Sequence, residues 1–189
     1  MDNKSQSEAK LKQQPEAPES LSETQPEPWM RGIVPGLHPV IGHLLRAAQQ
    51  IREDANATLS HLSTNELWST FRQVTSAGFH ARHLAGSTDR LCSYLESRQL
   101  TAEQLAALTT EGISGNESAA ALLAEIDTAF NRYEAQIRAL TPEQFGEVRE
   151  IGRKRYKTTA ISVAIHIVEH GQRHIGGMIA AARLARSAR

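Results

Sequence analysis

The sequence predicts an all-α protein, a four-helix bundle with short additional helices. Two observations carry this: four long segments repeat apolar residues at three- and four-residue spacing, and no segment alternates with the period of a strand. With 189 residues, 40% of them hydrophobic, the chain is long enough to close one core around those helices. Amphipathic helices of comparable length bury their apolar stripes most simply against one another.

The elements follow in order. Residues 1–35 hold five of the seven prolines and are rich in Gln, Glu and Ser. A segment of that composition buries too little apolar surface to offset its ordering entropy and is expected to be a disordered tail. Trp29, with Met30, Ile33 and Val34, is the candidate anchor for it, set against a flexible end that touches the domain only transiently. The bundle domain is then residues 36–189. Its first helix opens with Pro39 in the first turn and carries Val40, Ile41, Leu44, Leu45, Ala48, Ile51, Ala55 and Leu59. After a break at 61–65, Ser63 or Thr64 caps a short turn bearing Leu67 and Trp68. The second long helix spans Ser76 to Glu96. A short one from Thr101 to Leu108 has Thr101 as its cap and Glu103 in the first turn. The third long helix spans Glu117 to Leu140 and is ended by Thr141-Pro142, because a residue before proline is pushed out of the helical region. Glu143 to Lys157 reads as the longest irregular stretch, and the last helix as Thr158 to Arg186. Glycines at 171, 176 and 177 each cost that helix about 1 kcal/mol relative to alanine, which predicts close packing on a neighbour.

Composition narrows the function classes. Lys and Arg balance Asp and Glu at 21 each, so bulk charge directs the protein to neither nucleic acid nor membrane. Cys92 stands alone, which excludes an intramolecular disulfide framework and any thiolate-rich zinc or iron–sulfur site and fits a reducing compartment. With no secretory signal pattern and no apolar run near the roughly 20 residues of a membrane span, a cytoplasmic protein is expected. Its inert reading as a packed thiol is preferred for Cys92 over a nucleophile.

Five of the eight histidines fall into two groups, His80 with His83, and His166 with His170 and His174. On a helical wheel His170 and His174 lie within the apolar face of the last helix, with His166 at its border and Glu169 pointing away. Imidazoles at i and i+4 sit on neighbouring turns, where both reach one metal at about 2.0–2.1 Å. A third donor must come from another helix, and on geometry His80 and His83 are about even. Three histidines with a fourth position open would form a site of the catalytic type. The bland alternative is a pair of core histidines, each with one satisfied hydrogen bond. The H-E-x-x-H protease pattern is excluded, because Gly171 follows His170. Asp89 and Glu169 are the carboxylates nearest these groups in sequence, candidates to orient an imidazole. Tyr94, nearly in line with His83, is a candidate to place a hydroxyl near the metal, against a core or interface aromatic.

Three blocks, GFHARHLAGSTDRLCSYL (78–95), GRKR (152–155) and HIVEHGQRHIGGMIAAARL (166–184), together resemble the DinB-like superfamily in their order and spacing. The resemblance covers roughly residues 35–186. It implies a four-helix bundle holding a divalent metal on three histidines, and carries the ligand roles to His83, His170 and His174. That choice overrides the even wheel reading of His80 against His83. Where many relatives have a glutamine, this chain has Gly177, so any contact made by that glutamine is missing.

Residues 149–189 carry nine Lys or Arg and only Glu150 and Glu169 as acids. Arg153 and Arg155, with Lys154, are the candidates to hold the carboxylates of an anionic substrate or thiol cofactor. The alternative is a solvated basic face, with Arg183, Arg186 and Arg189 complementing a helix dipole. No aromatics are interleaved with these charges, so a nucleic-acid surface is not expected.

The resemblance implies a metal-dependent enzyme, most concretely a thiol-dependent S-transferase acting on a small electrophile. The divalent ion is expected to be zinc or nickel, the cofactor a low-molecular-weight thiol, the substrate a small molecule and the assembly a homodimer. A metal-dependent hydrolase on the same ligands and a non-catalytic metal-binding or dimerisation module are the alternatives. The sequence identifies no catalytic residue beyond the ligands.

Overall fold

A computed structural model describes residues 25–187. Its long helices are α1 (Pro39–Leu59), α3 (Ala77–Leu95), α5 (Ala119–Ala139) and α6 (Ala160–Ser187). The short helices α2 (Thr64–Trp68) and α4 (Ala102–Thr110) flank α3 in sequence, and an antiparallel hairpin, β1 (Val148–Ile151) and β2 (Tyr156–Thr159), leads into α6. The four long helices form the predicted bundle, in which α3 packs against α5 and α6 and α1 closes the other side on the same two helices.

Helix starts follow from side chains that satisfy otherwise orphaned N–H groups. Ser63 and Thr101 form capping boxes with Glu66 and Gln104. Ser76 accepts from the Phe79 amide and Ser118 from the Ala121 amide, so α5 begins two residues later than the periodicity predicts. The fully buried residues are the periodic ones: Ile51, Leu59, Leu84, Leu122, Ile126, Phe130, Ile137, Ile167 and Met178. Each such side chain contributes on the order of 1.5–3 kcal/mol. Tyr133 is buried with them and donates to the Ala164 carbonyl at 3.0 Å. Gly171 lets α6 approach α1 closely, since a Cβ there would lie 2.6 Å from Ile51 Cδ1. Gly176 faces open space, so close packing explains it no further.

Two expectations are corrected. Residues 143–157 are not irregular: a 3₁₀ turn at 142–144 is followed by the hairpin, in register Val148 with Thr159 and Ile151 with Tyr156. The strand period is hidden because Arg149 is the residue that turns inward, buried, its Nε donating to the Leu95 carbonyl at 2.7 Å. The hairpin loop turns on Gly152 and Arg155, both at positive φ. At the amino end, residues 1–24 of the expected tail lie outside the described residues. Trp29, Met30 and Ile33 are exposed and do not anchor the segment. It is held instead by buried Pro28, by Val34 against Gly42, and by Arg31, whose guanidinium forks onto Glu53 at 2.6 and 2.7 Å. No described helix is long and apolar enough to cross a membrane.

Candidate metal centre

The metal centre starts from where Ser76 caps α3. That start places His80 and His83 in the first two turns, on the side that meets the middle of α6. There His83, His170 and His174 each offer one ligand atom, all within 4.8 Å of one another, a spacing that small side-chain rotations bring onto one ion. The ring centroids of His174 lie 4.5 Å from those of both His83 and His170. All three rings are half-buried, so the cluster sits at the edge of the core with a side open to water.

Every ring has its Nδ1 engaged by the protein. His83 Nδ1 donates to Glu111 Oε2 at 2.7 Å. His170 Nδ1 faces the Ser87 hydroxyl at 3.4 Å, and that hydroxyl donates to the Leu84 carbonyl, which leaves its lone pair for the imidazole. His174 Nδ1 lies 3.1 Å from His80 Nδ1, and His80 Nε2 lies 2.9 Å from Thr75 Oγ1. This leaves Nε2 of each ring as the nitrogen free to meet a metal, the arrangement by which outer groups can fix tautomer and orientation. The donor set suits a divalent transition metal: neutral imidazoles from two helices, backed by a carboxylate.

Electrostatics prepare the same state. Burial, reinforced by the electrostatic influence of the neighbouring His83 ring, lowers the pKa of His170 to about 4 and that of His174 to about 3. Both rings are therefore neutral at pH 7, as ligation requires. His80 is shifted down for the same two reasons. Burial pushes the Glu111 carboxyl up, but hydrogen bonds from His83 and Arg90 outweigh it and hold the pKa below its usual range. Arg90 is itself buried and forks onto both oxygens of Glu111, so His83, Glu111 and Arg90 form a charge-balanced triplet.

The structure thus brings together His83, His170 and His174, with His80 standing beside the group as a partner of His174. Asp89 and Glu169 orient no imidazole of the cluster. Asp89 is tied to Arg132 and Gln104, and exposed Glu169 lies 3.9 Å from His166. Arg153 and Arg155 are not brought to the site. Their hairpin is fastened at Leu95, twelve residues and about 18 Å along α3 from His83, and Arg155 pairs with Glu150. Arg173 is exposed, and its charge bears on both His170 and His174, as that of Arg90 bears on His170. Cys92 is buried, its thiol pushed up to about 12 by burial, and Tyr94 is a core residue.

Glu111 escaped the sequence reading because it sits just past α4, in no periodic pattern. The signal for it was Arg90, two turns beyond His83 on the same face of α3, where a buried guanidinium demands a carboxylate.

The family model of the DinB superfamily matches residues 7–178. The chain belongs to the DinB superfamily. The match spans all four bundle helices, including the segments of α3 and α6 that bear the three histidines of this DinB protein. No curated protein sequence matches it.

Proposed function

We propose that the protein is a divalent-metal-dependent enzyme that activates a low-molecular-weight thiol for transfer to a small electrophile. The observation that carries this reading is the three-histidine group, which no fourth Cys, His, Asp or Glu joins among the described residues. Three protein ligands leave a coordination position for an exchangeable group, as in catalytic rather than structural sites. A divalent ion held there would supply Lewis acidity, lowering the pKa of the thiol or water that completes its coordination.

The protein residues divide the remaining work. His83, His170 and His174 bind, and Glu111 and Ser87 keep Nε2 of His83 and His170 unprotonated. Phe79, stacked on His83 at 5.7 Å between centroids, covers one side with an apolar surface. Arg173 supplies positive charge for an anionic thiol or substrate.

The same arrangement favours a thiol over water as nucleophile. Hydrolysis gains from a general base beside the ion, yet Glu111 is occupied by His83 and Arg90 and its proton affinity is lowered. A thiol needs no such base once its pKa has been lowered.

The test is elemental analysis of tag-free protein beside a His170→Ala/His174→Ala variant. Near-stoichiometric metal in the first and none in the second supports the reading, and the loaded protein is then assayed for loss of free thiol in the presence of small electrophiles. Wild-type protein that takes up no metal after incubation with divalent ions and desalting would sink it.

A further inference from the structure

His80 is a histidine beside the cluster that the three-ligand reading leaves without a task. Its ring fills a notch on α6: a Cβ added at Gly177 would lie 2.5 Å from His80 Cε1, 2.6 Å from Nε2 and 3.0 Å from Nδ1. The three nearest atoms to the added carbon all belong to His80. A residue that costs the middle of a helix about 1 kcal/mol is thus matched to one imidazole.

Hydrogen-bond accounting gives the imidazole a direction. If His174 offers Nε2 to an ion, its own proton is on Nδ1 and must be donated. The group 3.1 Å away is His80 Nδ1, which therefore accepts and carries no proton. The proton of His80 is then on Nε2, and the Thr75 hydroxyl, 2.9 Å from it, is the acceptor. Of the two arrangements that satisfy every partner, one leaves Nε2 of His174 free: His174 donates to His80, and His80 donates to Thr75. The reverse chain places the proton of His174 on Nε2 and destroys the ligand.

We infer that His80, seated in the notch opened by Gly177 and fixed by Thr75, is a positioning residue that holds His174 in its metal-binding tautomer. It stands to His174 as Glu111 stands to His83, with a neutral imidazole in place of a carboxylate. This rests on the metal reading above, and the test separates the two.

Zinc affinity is measured by chelator competition on the full chain, with the His170→Ala/His174→Ala variant as reference. His80→Ala is expected to weaken zinc binding about tenfold or more, the usual effect of losing a group that orients a ligand. His80→Asn is expected to recover most of it, because asparagine Oδ1 stands near the position of Nδ1 and accepts from His174. Gly177→Ala is expected to expel the ring and match His80→Ala in affinity while leaving the thermal stability of the metal-free protein equal or higher, since the three atoms nearest the added carbon belong to the flexible His80 side chain. The His80→Ala/Gly177→Ala double variant should bind no worse than either single one. In the zinc-loaded protein, imidazole nitrogen-15 shifts should place the proton of His174 on Nδ1 and that of His80 on Nε2. The inference is overturned if His80→Ala binds zinc within about twofold of wild type while the reference variant has lost it, or if His80 carries its proton on Nδ1. A reference variant that binds zinc as wild type does removes the metal reading itself.

Discussion

His83 Nδ1 and Glu111 Oε2, 28 residues apart in sequence, meet at 2.7 Å and join the metal face of α3 to the chain just beyond α4. The same carboxylate neutralises Arg90, so one buried group serves both the ligand set and the fold.

Removing Glu111 therefore has two effects. Glu111→Ala leaves the Arg90 guanidinium buried without a counter-charge, which costs about 3 kcal/mol, and frees His83 to adopt the wrong tautomer. Urea unfolding should show the first effect in metal-free protein, and chelator competition the second, as a loss in zinc affinity of about tenfold to a hundredfold.

Metal-free protein should lose stability in mild acid. His170 and His174 titrate near 6.5 when unfolded but only at about 4 and about 3 in the fold. The unfolded chain thus binds protons first as pH falls, so their contribution is whole above about 6.5 and is lost progressively down through those lower values. Glu111, also shifted down, adds a loss of the same sign at lower pH. Urea midpoints measured from pH 7 to pH 4 should fall steadily, and a flat profile across that interval would contradict the burial of these rings.

Neighbouring glycines of α6 should respond oppositely to alanine. Gly176→Ala meets open space and should stabilise the protein by up to about 1 kcal/mol. Gly171→Ala drives a carbon into Ile51, which is fully buried and has nowhere to go, so overpacking of about 1–3 kcal/mol outweighs the gain in helix propensity. Thermal melting of the two variants checks both signs.

Arg153→Ala/Arg155→Ala should leave zinc affinity unchanged, because the hairpin loop lies at the other end of α3. Arg173→Ala should leave metal content intact yet lower kcat/KM for an anionic thiol through KM. Equal effects of the two variants on KM would show that the hairpin reaches the substrate after all.

The helices were legible because partition between water and core repeats with the turn of the helix. Ile41 to Leu59 and Leu122 to Ile137 display that repeat without interruption. The hairpin was not, since Arg149 turns inward on the strength of one carbonyl, Leu95, that becomes available only when α3 has ended beside it. Among the candidate site residues, His170 and His174 stood out as a pair by their spacing, which core histidines would also show, while the second histidine group and the resemblance of whole blocks pointed to a metal and to His83 over His80. Glu111 and the pairing of His80 with Gly177 depend on contacts between elements remote in sequence, and no local pattern announces them.

The seat of Ile51 on Gly171 reaches further than packing. His166, His170 and His174 recur every four residues, so a one-turn slide of α6, about 5.4 Å, would present a different adjacent pair to His83 with much the same geometry. The ladder is therefore ambiguous by itself. Only the turn containing Gly171 admits Ile51, and the adjacent turns would offer it Ile167 or Ile175. The contact of Gly171 with Ile51 thus acts as the index mark that selects which two of the three rungs face His83.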